Sequence, residues 1–401
     1  MFFLNECGIV CALGHTHDAI KDKLFRAESG VLTTDVWSSG RSLPLGRLGD
    51  QVELASMSSY PIQQQSRNNQ MALTALAQIR PAVDKAIAQF GSDRVGVVIG
   101  TSTSGIAGTE AAMRQYLQDG IMPEAFHYAQ QEMGSPAGML AKELNISGPA
   151  YVHSSACSSS AKAFASAARL IGMGLCDAII CGGVDSLCAF TVAGFSALES
   201  VSTNLCNPLS ANRNGINIGE GAALFLMSRA SSLFNSCSSS VALCGWGESS
   251  DGHHMSAPDP AGGGARLAIK QALQRANLRP DQIDYINLHG TATLQNDAME
   301  ARVVDELFGG EVPVSSTKSL TGHALGAASA IEAALCWLAM QDDNPRGKLP
   351  PHRWDGQPDP ALPLLNVVKP GYQLNRPLQW ALSNSFAFGG SNAALLLGRT
   401  P

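Results

Sequence analysis

The chain reads as an internally duplicated α/β protein, and three observations carry that reading. Four pairs of segments resemble each other, in the same order, in the two halves of the sequence. Forty glycines against only 6% aromatic residues indicate close backbone packing with many tight turns, as in sheets covered by helices. Continuous apolar runs such as residues 95–99 fit strands buried on both faces.

The paired segments run as follows. Arg94-Val-Gly-Val-Val-Ile-Gly-Thr-Ser-Thr resembles Asp284-Tyr-Ile-Asn-Leu-His-Gly-Thr-Ala-Thr, each an apolar strand ending in Gly-Thr-x-Thr. Tyr151-Val-His-Ser-Ser-Ala-Cys-Ser-Ser-Ser-Ala, a strand followed by a small-residue helix, has its counterpart in the segment from Val312 to Ala330. Asp177-Ala-Ile-Ile-Cys-Gly-Gly pairs with Gln379-Trp-Ala-Leu-Ser-Asn-Ser-Phe, and Gly221-Ala-Ala-Leu-Phe-Leu with Asn392-Ala-Ala-Leu-Leu-Leu. The shared order predicts two βα repeats, residues 1–240 and 241–401, packed sheet to sheet across shared helices. The stretches Gln63–Asn69 and Ser202–Gly215 in the first half are the expected places for partner and substrate selection.

Composition excludes several classes. A net charge of −6 gives no global attraction for nucleic acid. No run reaches eighteen uninterrupted apolar residues, so no membrane span is expected. The opening segment lacks a basic stretch and reads as a first strand and turn rather than a signal peptide. The ten cysteines include no Cys-x-x-Cys pair, which predicts reduced thiols in the cytoplasm. Nucleotide-binding and zinc-protease motifs are missing, so no cofactor and no metal are expected. Gly262-Gly-Gly264 reads as a flexible loop, and His15, His17, His253 and His254 as solvated turn residues.

Cys157 sits at a strand-to-helix elbow, where a helix dipole favours thiolate over thiol. A buried cysteine is readily explained by packing alone. Its company in the second half singles it out. His289 stands at a strand end, and Lys318 and His323 stand at the helix that the repeat makes equivalent to the helix of Cys157. A pseudo-twofold packing of the halves brings the four residues to one pocket.

The motifs at these positions resemble the elongating β-ketoacyl-acyl carrier protein synthases of the thiolase superfamily. The resemblance rests on Gly8-Ile-Val-Cys-Ala-Leu-Gly, Ser155-Ala-Cys-Ser, Asn214-Gly-Ile-Asn-Ile-Gly-Glu-Gly-Ala, His289-Gly-Thr-Ala-Thr, Lys318-Ser-Leu-Thr-Gly-His-Ala-Leu-Gly-Ala and Asn384-Ser-Phe-Ala-Phe-Gly-Gly-Ser-Asn. It implies a thiolase-like αβαβα fold with two packed mixed sheets. It also implies a ping-pong condensation in which Cys157 takes an acyl group as a thioester. Malonyl-carrier protein then loses carbon dioxide and attacks that thioester, giving a 3-oxoacyl product. His289 and His323 are implied as donors to the enolate, Lys318 as a support paired with Glu300, and Phe388 as a gate. The backbone N–H groups of Phe388 and Cys157 are implied to form the oxyanion hole.

The implied partners are acyl carrier protein and a second chain, in a homodimer or a heterodimer with a related ketosynthase-like chain. Arg67 and Arg213 are candidate docking residues for the acidic carrier. Three motifs depart from the family pattern. Ala387 replaces the usual glycine between two phenylalanines, which should stiffen the gate loop. Asn214 and Asn217 alter the mid-chain motif, and Gly100-Thr-Ser-Thr-Ser-Gly is poorer in glycine than usual. Together they point to a specialised synthase, similar to those of bacterial aryl polyene pathways. The competing reading is a non-catalytic chain-length partner of the same fold, which would typically lack the cysteine. A degradative thiolase would carry a second reactive cysteine near the C-terminus, whereas the last cysteine here is Cys336.

Overall fold

In the computed structural model, which describes residues 1–230 and 240–400, the apolar runs become strands. These are β1 (Phe2–Cys11), β2 (Leu32–Thr34), β3 (Leu43–Leu45), β4 (Val95–Gly100), β5 (Ala150–His153), β6 (Ala178–Asp185) and β7 (Gly221–Ser228). The second half contributes β8 (Ser240–Ser250), β9 (Tyr285–Asn287), β10 (Pro313–Ser315), β11 (Asn366–Val367), β12 (Trp380–Ala387) and β13 (Ser391–Thr400). The helices are α1 (His17–Phe25), α2 (Arg67–Phe90), α3 (Ile106–Asp119), α4 (Ser135–Glu143), α5 (Ser159–Gly172), α6 (Ala189–Ala197), α7 (Gly263–Ala276), α8 (Leu294–Phe308), α9 (Lys318–Thr321) and α10 (Ala328–Ala339).

The strand order carries the duplication. The first-half run β1-β7-β6-β4-β5 is reproduced by β8-β13-β12-β9-β10. The sense matches at every step: two antiparallel pairings, then two parallel ones, in each half. The four segment pairs seen in the sequence fall on β4 and β9, β5 and β10, β6 and β12, and β7 and β13. The halves meet where Phe2 and Phe3 pair with Leu243 and Ala242, so hydrogen bonding runs on through eleven strands.

Packing divides this ladder into five layers. Helices α5 and α10 lie between the two halves, in one apolar cluster with side chains of β1, β6, β7, β12 and β13. Helices α2 and α4 cover the outer face of the first half, and α7 and α8 that of the second. The composition of α10 explains its place, because a helix apolar all round has no solvent face to offer. All twelve of its residues are buried, with Glu332 the one charge among them. Small residues let α5 seat equally closely: a Cβ on Gly100 would lie 2.2 Å from the Ser160 nitrogen. That contact sets the start of α5 against the end of β4.

Some local expectations change. The glycine run 262–264 is not loose. Gly262 adopts φ 66° before α7, and a Cβ on Gly264 would meet the Asp251 carboxylate at 2.0 Å. His17 is half-buried, with Nε2 2.7 Å from the Cys7 carbonyl oxygen and its ring against Trp337. The nine described cysteines are unpaired, and Cys237 lies outside the described residues. Among the described residues, no helix is long and apolar enough to cross a membrane.

Candidate active site

Cys157 follows β5 through a strained elbow and leads into α5. Ala156 holds φ 50°, a left-handed conformation that costs a non-glycine residue on the order of 1 kcal/mol. Ser158 and Ser159 then cap the turn by donating to the Ser155 and Ala156 carbonyl oxygens. The elbow leaves the thiol 4% exposed.

His323 reaches the same point from the other half. It follows α9 through Gly322, at φ 73°, which packs so tightly on Gly46 that a Cβ would lie 2.9 Å from that residue's Cα. The mid-chain motif grips the strand: the His323 N–H donates to the Asn217 carbonyl, and the Gly219 N–H to the His323 carbonyl. His323 Nε2 comes to rest 3.1 Å from the Cys157 sulfur. The rings of His289 and His323 stand 5.4 Å apart and nearly perpendicular.

Glu300 and Lys318 both serve His289, by separate routes. Glu300, fully buried on α8, accepts the backbone N–H groups of His289 (2.8 Å) and Gly290 (2.7 Å). Lys318 donates to the His289 carbonyl and lies 3.4 Å from Nδ1 of its ring. Its ion-pair partner is Glu332 of α10 rather than Glu300, which corrects the pairing implied by the resemblance. No local signal in the sequence marks Glu332 except a lone acid in an apolar helix.

These contacts bear on the ring tautomers. A lysine ammonium can only donate, so Nδ1 of His289 accepts and the ring proton sits on Nε2. Nδ1 of His323 is buried with no partner among the described residues. Nε2 of that ring is the nitrogen that faces the Cys157 sulfur. Burial holds both imidazoles well below the usual histidine range, with the Lys318 charge adding to the effect. Burial and the Lys318 charge thus both favour the neutral imidazole in each ring.

The thiol differs from the sequence reading. Burial pushes it up to about 11, against the pull of Lys318 and of the Phe388 and Cys157 backbone N–H groups. Desolvation outweighs these opposing effects because the thiol is buried. Phe388 lines the same cavity as Cys157 and is in ring contact with Phe195 of α6 at 5.4 Å, a partner the sequence did not reveal. The cavity is lined by Cys157, His289, His323, Phe195, Phe386 and Phe388. A neighbouring groove shares Ser200, Ser256, Thr293 and Gln295 with it.

Ala387 is extended at φ −92°, ψ 156°, and the turn is made instead by Gly389 at φ 80° and Gly390 at φ 73°. The alanine therefore needs no glycine backbone. Arg67 and Arg213 are committed elsewhere. Arg67 forms a two-pronged pair with the buried Glu220, and Arg213, with a side chain 4% exposed, pairs with Asp359. Neither is a free docking cation, which corrects that expectation. The Cys157, His289 and His323 ligand atoms lie within 4.8 Å of one another, near enough to hold one soft metal ion. The Lys318 charge opposes a cation there.

Comparisons with known proteins agree with this geometry. The profile described as Beta-ketoacyl synthase, N-terminal domain, matches residues 55–232, and Beta-ketoacyl synthase, C-terminal domain, residues 241–352. Nodulation protein E of Rhizobium sp. (strain N33) is 32% identical over 98% of this chain and 97% of its own length. The 3-oxoacyl-[acyl-carrier-protein] synthase 2 of Synechocystis sp. is 33% identical over 77% of this chain and 76% of its own. Among solved structures, the ketosynthase (ApeO) in complex with its chain length factor (ApeC) from Xenorhabdus doucetiae matches at TM-score 0.90 and 43% identity. It covers 100% of this chain and 98% of that one.

Proposed function

We propose, for a chain that belongs to the β-ketoacyl synthase family and is a condensing enzyme, that Cys157, His289 and His323 divide a decarboxylative condensation between them. In the first half-reaction the Cys157 sulfur attacks the thioester carbonyl of an acyl-carrier protein. A carbon–sulfur bond forms, the carrier sulfur departs, and the thiol proton ends on the departing carrier thiol. The Phe388 and Cys157 N–H groups face the oxygen on which charge develops.

In the second half-reaction the bond between the malonyl carboxyl group and its neighbouring carbon breaks, and carbon dioxide leaves. The electron pair forms an enolate whose oxygen takes hydrogen bonds from Nε2 of His289 and His323. The enolate carbon then attacks the Cys157 thioester, forming the new carbon–carbon bond and releasing the sulfur. Lys318 and Glu300 act on this step by holding His289. Phe388 is the gate that must swing before either carrier arm enters.

The observation that carries the reading is the 3.1 Å contact between Cys157 and His323, residues from opposite repeats. It also weighs against a non-catalytic chain-length partner, which would have no use for a nucleophile beside two oriented donors. Carrier proteins loaded with acyl and malonyl groups are the substrates. The second chain is a copy of this one or a related ketosynthase-like protein, as the similarity to the ApeO–ApeC complex supports. That similarity and the altered motifs fit a specialised, aryl polyene-type pathway. The unpaired cysteines fit the cytoplasm. We take residues 1–240 and 241–401 as the two repeats. The test is incubation with acyl- and malonyl-carrier proteins. A 3-oxoacyl-carrier product with release of carbon dioxide is expected, and its absence with every acyl group supplied would overturn the reading.

A further inference from the structure

Lys162 stands on α5, about one turn beyond Cys157, and is only half-buried. Among the described residues no carboxylate lies within ion-pair distance of it. The charged groups facing it are Glu248 of β8 and Arg169 of α5, which pair with each other, and His153 of β5 is the nearby titratable ring. Its ammonium instead donates to Ser391 Oγ at 2.6 Å.

The hydrogen bonds beyond it run in one direction. The Ser158 hydroxyl donates to the Ser155 carbonyl at 2.9 Å. Ser158 Oγ is therefore left to accept from Ser391, 2.9 Å away, and Ser391 accepts from Lys162. The chain ends at the carbonyl immediately before the strained Ala156. Ser391 is also the partner of Ala387 across the hairpin that carries Phe388, Gly389 and Gly390. One cation thus ties the elbow of Cys157 to the hairpin that presents the Phe388 N–H.

From this geometry we infer that Lys162 is a positioning residue. It holds the nucleophile elbow and the Phe388 hairpin in register through Ser391 and Ser158. The inference rests on the proposed role of Cys157 and adds two residues to it. The chain has no contact with the cavity, so its effect is on the alignment of the oxyanion donors and not on substrate affinity.

The test is single-turnover acylation of Cys157 by acyl-carrier protein, read by intact mass across carrier concentrations. Lys162→Met and Ser391→Ala are each expected to slow acylation at saturation about tenfold, less than outright loss of an oxyanion donor. The half-saturating carrier concentration stays unchanged. The double variant is expected to be no slower than either single one, because both break the same chain. Ser391→Thr, which keeps the hydroxyl, retains the wild-type rate. Ser391→Ala removes a single oxygen atom and keeps the test open if Lys162→Met weakens the helix. Wild-type acylation rates in Ser391→Ala would overturn the inference, since Lys162 would then act by charge alone. Additive losses in the double variant would overturn it too. If wild-type Cys157 takes no acyl group at all, the proposed function fails instead.

Discussion

His323 Nε2 lies 3.1 Å from the Cys157 sulfur, across 166 positions of sequence and from the opposite repeat. Neither half alone builds this contact. Cys157 hangs from an elbow between β5 and α5, and His323 from a turn gripped by the mid-chain motif at Asn217 and Gly219. The duplication brings two helix starts to one cavity, and the proposed chemistry divides along the same line.

The enolate half of the site should work without the thiol. Cys157→Gln is expected to retain release of carbon dioxide from malonyl-carrier protein while making no condensed product. In that background His289→Ala is expected to lower the release about 10²–10³-fold, the cost of one oriented donor. Carbon dioxide measured from labelled malonyl groups checks both. Unchanged release in the His289 variant contradicts the donor role.

Glu332 should matter to stability more than its distance from the thiol suggests. Its carboxylate is the one ion-pair partner of the buried Lys318 among the described residues, and removing one side of such a pair costs about 3–5 kcal/mol. Urea unfolding of Glu332→Ala is expected to show a loss of that order. Replacing both residues with methionine should recover much of it, since a packed apolar pair avoids the desolvation cost. A double variant no more stable than Glu332→Ala would speak against the pair.

Removing the Phe388 ring should make the thiol more acidic. Burial is the largest cause of its raised value near 11, and Phe388 and Phe195 line the same cavity. In Phe388→Ala the midpoint of Cys157 alkylation by iodoacetamide is expected to move to lower pH. The sign follows from solvation favouring the charged thiolate. A midpoint that stays in place would show that the phenylalanine does not control water at the sulfur.

Acid should weaken the fold partly through His352. This buried ring accepts the Ser316 N–H at Nδ1 and faces the Pro208 carbonyl with Nε2. Burial lowers it from 6.5 to about 4. Because its folded value is depressed, the unfolded chain takes up the proton first. The stability it contributes is present above pH 6.5 and is lost as pH falls toward 4. Between pH 7 and 5 the loss is about 2 kcal/mol. In His352→Gln the fall in unfolding free energy over that interval should be smaller by this amount.

The sequence made the duplication legible because β4 and β9, or β7 and β13, must satisfy the same burial at equivalent places in the sheet. Cys157, His289 and His323 stood out because their neighbours are strand ends and small-residue helix starts, which read locally. Partners set only by packing did not read. Glu332 finds Lys318 because α10 is buried between the sheets. Glu220 and Asp359 occupy Arg67 and Arg213, so cations that look free in sequence are already paired. The thiol was misjudged for a related reason. A helix terminus is visible in a local pattern, whereas the burial that outweighs it comes from tertiary packing, with His323 of the opposite repeat against the sulfur.

The most direct measurement is the intact mass of the protein after incubation with acyl-carrier protein alone. The wild type is expected to gain the mass of one acyl group, removable by hydroxylamine as a thioester. Cys157→Ala, with its fold intact by circular dichroism, is expected to gain none. An acyl adduct on Cys157→Ala, or a wild-type adduct located at another residue by peptide mapping, would contradict the account.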